Sequence, residues 1–168
     1  MISPAPTDYG SQSPDLRRTG NDEAASPDPS DEVLLRTLGA DRSALGPLYV
    51  KTGGPTPIIG LRVEEKHLNT RGIAHGGMLV TLADSALGIA LATSRIPPQP
   101  MVTVNLSTDF ADAAHAGDWI EAHVDIQKVG ARLAFANCYL VVGEKRILRA
   151  SGVFALVPPA KPKESFEG

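Results

Sequence analysis

From Met78 to Ala92 the chain is apolar or small on every face of the helix it would form, so that helix must be wrapped by protein rather than lie on a surface. Gly76 to about Ser94 is the predicted span, closed by Pro97-Pro98. Beyond it the period changes from helical to two. Val102, Val104 and Leu106 alternate with polar residues, as do Ile120, Ala122, Val124 and Ile126. Four strand-like runs result: Met101–Phe110, Trp119–Val129, Arg132–Val142 and Ile147–Val157. Ala116-Gly117-Asp118, Gly130-Ala131 and Gly143-Glu144-Lys145 supply the turns between them. Upstream, Ile59, Leu61 and Val63 mark a further strand within Ile58–His67. Before that, Ser30 with Asp31 and Glu32 reads as the cap of a short helix carrying Leu34, Leu35 and Leu38 on one face and stopping at Gly39. Short connections between consecutive strands make an antiparallel sheet, and an all-round apolar helix needs a sheet curved about it. The expected class is therefore α+β, an antiparallel sheet wrapped around one long central helix.

Both ends depart from this pattern. Residues 1–29 are rich in Pro, Ser, Asp and Gly, and 158–168 have the same character, so each is expected to be a flexible tail around a folded unit at 30–157. A net charge of −3 with 21% charged residues favours neither nucleic acid nor an anionic membrane surface as partner. The single Cys138 excludes an intrachain disulfide, suits a reducing cytoplasm, and sits where a packed strand residue is expected. The first residues show no cationic patch followed by an apolar run, so no secretory leader is expected. The long apolar helix approaches spanning length, but His75, Asp84 and several glycines argue against a bilayer helix.

Candidate chemistry gathers on that same helix. Asp84 is the only acid between Arg71 and Arg95, and a carboxylate inside an apolar helix is costly to bury unless something pairs with it or uses it. His75-Gly76-Gly77 opens the helix, where free N–H groups and the positive dipole end can hold an oxyanion. Asp84 could instead be a structural acid in a subunit interface, and Gly76 and Gly77 could serve close packing. His75 could be a hydrogen-bonded loop residue and Asn69 a turn residue. Lys128 and Arg132 flank the Gly130 turn and could meet phosphates, or be ordinary solvated charges. Leu87, Leu91 and Phe110 are candidates for a pocket lining. His67, His115 and His123 do not gather with acids at ligand spacing, so no metal is expected. Ser85 lacks the Gly-x-Ser-x-Gly context of a nucleophile elbow, and Gly53-Gly54 lacks the Lys-Ser/Thr of a phosphate loop.

Asn69, His75-Gly76-Gly77 six residues on, and Asp84 within the helix together resemble the pattern of hotdog-fold acyl-CoA thioesterases. The likeness is to the phenylacetate-pathway type and its human mitochondrial relative, and it covers residues 56–157. It implies a hotdog fold, hydrolysis of an acyl-CoA thioester without a cofactor, and a homodimer or dimer of dimers with helices side by side and sheets joined edge to edge. It further implies active sites at the subunit interface. There the Gly76 N–H would polarise the carbonyl, and Asp84 of the partner subunit would act as general base or nucleophile. Asn69 and His75 would shape the loop, Gly77 would contact substrate, and Thr103 would orient the water. The chemistry is sound on its own terms: thioester hydrolysis builds charge on the carbonyl oxygen, which N–H donors at a helix start stabilise, while the water needs a base. A non-catalytic acyl-CoA or acyl-carrier sensor is the alternative on the same scaffold. An enoyl-thioester hydratase would need a different Asp/His arrangement, which the sequence does not show.

Overall fold

The computed structural model describes residues 33–34 and 45–157. Seven strands form one antiparallel sheet: β1 (Val33–Leu34), β2 (Tyr49–Lys51), β3 (Ile58–Arg62), β4 (Met101–Phe110), β5 (Trp119–Val129), β6 (Leu133–Val142) and β7 (Lys145–Leu156). Their spatial order is β1-β2-β3-β5-β6-β7-β4, so β4 is an edge strand reached by crossing the sheet. The crossing is made by α1 (Gly76–Thr93), which packs on β4, β5, β6 and β7. This is the hotdog fold, a sheet wrapped around a central helix. α1 is long and apolar enough to cross a bilayer by length and composition, but one face of it is core: Leu79, Leu82, Ala83, Ala86, Leu87, Ala90 and Leu91 are buried against the sheet.

The sheet meets that face with alternate residues of its three central strands. Ala122 and Val124 on β5, Ala134, Ala136, Cys138 and Leu140 on β6, and Leu148, Ala150 and Phe154 on β7 are all buried. Many are alanines, which lets the helix backbone approach closely. Gly152 is the tightest point of the seam: a Cβ there would stand 3.0 Å from Leu87 Cδ1 and 2.8 Å from Phe154. Each fully buried leucine of this seam contributes about 1.5–3 kcal/mol.

β4 contains a bulge between Thr103 and Asn105, and this irregularity decides which side chains face the helix. Thr103 and Phe110 are seven positions apart, an odd number that would put them on opposite faces of a regular strand. The bulge corrects the parity. Thr103, Leu106, Thr108 and Phe110 lie opposite Phe154, Gly152, Ala150 and Leu148 of β7, every one on the inner face.

Three expectations are corrected. The helix predicted from Ser30 is not what Val33 and Leu34 form; they pair with Val50 and Tyr49, as a short edge strand completing hydrogen bonds that β2 leaves open. The rest of that segment, and both expected tails, lie outside the described residues. β2 itself was not anticipated. The strand expected over Ile58–His67 stops at Arg62, because Glu65–His67 forms a 3-10 turn in which the Glu64 N–H donates to His67 Nδ1 at 2.9 Å.

Candidate active site

The loop entering α1 is tied down on three sides. Asn69 Oδ1 accepts the Arg71 N–H at 2.8 Å and its backbone carbonyl accepts that of Gly72, which sits at a φ of 73° that favours glycine. The Ala74 N–H donates to Ala114 O at 2.8 Å, and the His75 N–H to His67 O at 2.8 Å. His67 is itself fixed: with Nδ1 accepting, Nε2–H donates to Leu45 O at 3.0 Å, and the ring is buried. The sequence gives no sign of this anchoring role beyond the position of His67, eight residues before His75.

His75 caps the helix. Its extended backbone (φ −65°, ψ 131°) turns the chain into α1, and its Nδ1 accepts the Gly77 N–H at 2.9 Å. That bond fixes the ring with its proton on Nε2 and spends the Gly77 donor, so Gly77 is not a hydrogen-bond donor to substrate here. The Met78 and Leu79 N–H groups turn back to His75 O. The Gly76 N–H is left as the donor of the first turn with no acceptor among the described residues. Over it lies Phe110: a Cβ on Gly76 would stand 3.1 Å from that ring.

Asp84 lies two turns further on. It was expected to be buried, yet a single chain leaves it half-buried, because the sheet covers only one face of α1. Thr103 Oγ1 donates to Asp84 Oδ1 at 2.8 Å, while Oδ2 accepts from no group among the described residues. Gly76 and Asp84 are eight positions apart on one helix, about 12 Å of rise. One chain therefore brings together Asn69, His75, Gly76 and Gly77 at the helix start, and Asp84 with Thr103 at its middle, but not the two groups with each other. Lys128 and Arg132 are exposed and stand apart from both: Arg95, just beyond the other end of α1, donates to Gly130 O at 2.6 Å and ties that hairpin to the helix C-terminus. Of the candidate lining residues, Leu87 and Leu91 are fully buried core, and only Phe110 borders the site. Cys138 is buried, and burial pushes its thiol up to about 12, so it is no nucleophile.

Comparison with known proteins places this arrangement. Residues 71–147 match the thioesterase superfamily model. A Pseudomonas aeruginosa protein provisionally named an esterase is 50% identical over 113 residues, 67% of this chain and 84% of its own length. Acyl-coenzyme A thioesterase 13 of Mus musculus is 34% identical over 107 residues, 63% of this chain and 75% of the relative. A variant of the phenylacetic acid degradation protein of Thermus thermophilus superposes with a TM-score of 0.61 at 29% identity, covering 68% of this chain and 96% of that one. The chain therefore belongs to the thioesterase superfamily, as a hotdog-fold thioesterase of the phenylacetic-acid-degradation type, and hydrolysis of a thioester is its reaction class.

Proposed function

We propose that the protein hydrolyses acyl-CoA thioesters in a homodimer whose two active sites each draw on both subunits. The observation that carries this reading is the separation of a free donor from a free acceptor along α1. The Gly76 N–H and Asp84 Oδ2 are unengaged by the described residues, yet about 12 Å of helix rise divides them. A second, antiparallel copy of α1 related by a two-fold axis near Val80 would bring Gly76 opposite Asp84 of the partner subunit, and the reverse, in a self-complementary contact. The face available for that contact has no long side chain: Gly77 and Thr81 are exposed, and Val80, Ser85, Gly88 and Ala92 are half-buried. The neighbouring sheet edge points the same way, since β4 is a ten-residue edge with Val102 53% and Val104 59% exposed, a surface a lone chain would aggregate through.

In this arrangement the thioester carbonyl accepts the Gly76 N–H, with the dipole of α1 behind it. The carboxylate of Asp84, held by the Thr103 hydroxyl on one oxygen, uses the other either to take a proton from water or to attack the carbonyl carbon. His75 and Asn69 position the donor and touch no reacting atom. The exposed Lys128 and Arg132 are the cations proposed to meet CoA phosphates. The name of the mouse relative supports CoA as the carrier. The single buried thiol supports a reducing, cytoplasmic setting.

The test is release of free thiol from a panel of short, medium, long and aryl acyl-CoAs, with mass measured by light scattering on the same sample. Turnover by a dimer or larger assembly is expected. Tight binding without turnover would favour the sensor instead, and a well-folded monomer at micromolar concentration would overturn the shared site.

A further inference from the structure

The first residue of α1 is not open on all sides, and what closes it is one aromatic ring. Phe110 ends β4 on the inner face, opposite the buried Leu148, and is 55% exposed. A Cβ on Gly76 would stand 3.1 Å from Phe110 Cε1 and 3.3 Å from Cζ, less than the separation of about 3.5–4.0 Å at which carbon atoms rest. A methyl on Gly76 would need the ring to give by a few tenths of an ångström. The slot is also built rather than incidental. The Ala111 and Asp112 N–H groups both donate to Ile147 O, pinning the end of β4 beside the ring. The Ala74–Ala114 hydrogen bond joins the chain just after the ring to the loop just before the glycine.

The geometry points to Phe110 as a specificity-determining residue, selecting acyl groups that are unbranched at the carbon next to the carbonyl. This rests on the acyl-CoA reading above and narrows it. A carbonyl oxygen accepting the Gly76 N–H at about 2.9 Å brings the acyl group to the residue that the Phe110 ring overhangs. A linear or flat acyl group lies along the aromatic face. A methyl branch on the carbon next to the carbonyl meets the ring or forces the oxygen off its donor, so the cost falls on transition-state binding and shows in kcat/KM.

The test uses two substrates that differ by one methyl, butyryl-CoA and 2-methylbutyryl-CoA, with the full chain and its Phe110→Ala variant. The wild-type protein should prefer the linear substrate by about tenfold or more, the range in which a single methyl is discriminated. Phe110→Ala should bring the ratio close to one, chiefly by gaining on the branched substrate. Gly76→Ala reads the same slot from the opposite wall: its methyl narrows the gap, so turnover should fall while Phe110 is present and recover in the Gly76→Ala/Phe110→Ala double variant, a non-additive pair. A wild-type ratio near one, or a ratio that Phe110→Ala leaves unchanged, overturns the inference while acyl-CoA hydrolysis stands. If Phe110→Ala fails to fold, the inference still falls should Gly76→Ala leave the ratio where it was. Inactivity of the wild-type protein on every acyl-CoA overturns the acyl-CoA reading itself, and this selectivity with it.

Discussion

The two faces of α1 carry different kinds of information. Toward the sheet it presents Leu79, Leu82, Ala83, Ala86, Leu87, Ala90 and Leu91, all buried, an apolar stripe that any core helix needs. Away from the sheet it presents Gly77, Val80, Thr81, Asp84, Ser85, Gly88 and Ala92, each half-buried or exposed and none of them long and charged. A face meant for water would carry long charged side chains; this one carries a single carboxylate among small residues. The contrast separates the face that holds the fold from the face proposed to carry the chemistry, and substitutions on the two faces should fail in different ways.

The largest effect is expected on the outward face. Asp84→Asn keeps the shape and the capacity to bond Thr103 but removes both base and nucleophile, so kcat should fall at least about 100-fold with the melting temperature little changed. Measuring both on one preparation separates chemistry from stability: a folded variant with near-wild-type turnover breaks the contrast. Leu87→Ala on the inward face should do the reverse. It empties a fully buried site against Gly152, and should cost about 2–5 kcal/mol in denaturant unfolding while turnover per folded molecule stays the same. Loss of turnover without loss of stability there would mean that the core face is part of the site.

Smaller effects sharpen the picture. Thr103→Val removes the hydrogen bond that holds Asp84 Oδ1; the bond is solvent-exposed, so melting should change little, while kcat should fall about tenfold or more as the carboxylate loses its orientation. An unchanged kcat would make the Thr103 contact a bystander. Cys138, beneath the inward face, gives a pH test. Its folded thiol titrates near 12 against an ordinary 9.0, so between those values the unfolded chain loses the proton while the folded chain keeps it. The unfolded state then binds fewer protons, and stability is lost as pH rises through that window. Compared with Cys138→Ala, the wild-type protein should show the steeper fall in stability from pH 9.0 to about 12; parallel curves would mean that the thiol is not sealed in the core.

Much of this was legible in the sequence. The span of α1 and the four strands after it follow from periodicity, since a switch from an all-round apolar run to strict alternation leaves few other readings. His75-Gly76-Gly77 and the isolated Asp84 stand out in the sequence as candidate chemistry, and the structure puts them at the start and in the middle of α1. The β4 bulge was not legible, because Met101–Phe110 reads as one continuous strand and only the pairing with β7 shows the slip that turns both Thr103 and Phe110 inward. Nor could sequence separate Phe110 from Leu87 and Leu91 as lining, because apolar residues inside and beside a core look alike until register is known. β1 and β2 are too short to carry an alternation, so they became strands only through their neighbours. The half-burial of Asp84 was not legible either, because it depends on which face of α1 the sheet covers, and that is set by the strand order rather than by the helix's own residues.

The proposed shared site is best tested with two variants, each expected to be inactive, whose defects lie on different parts of it. Gly76→Pro deletes the donor: proline is accepted at the first helical position, His75 already has the extended backbone that a residue before proline requires, and the new Cβ asks the exposed Phe110 ring to give by only a few tenths of an ångström. Alone it should lose about 10²–10³ in kcat. Tag Gly76→Pro and Asp84→Asn differently, produce them together, and purify the mixed dimer through both tags. One of its sites then joins an intact Gly76 to an intact Asp84 of the partner subunit, and the other carries both defects. Turnover at about half the wild-type rate per dimer is predicted, from one working site of two. Turnover no higher than that of the two parents would contradict the account, because it would mean that each chain works with its own glycine and its own acid.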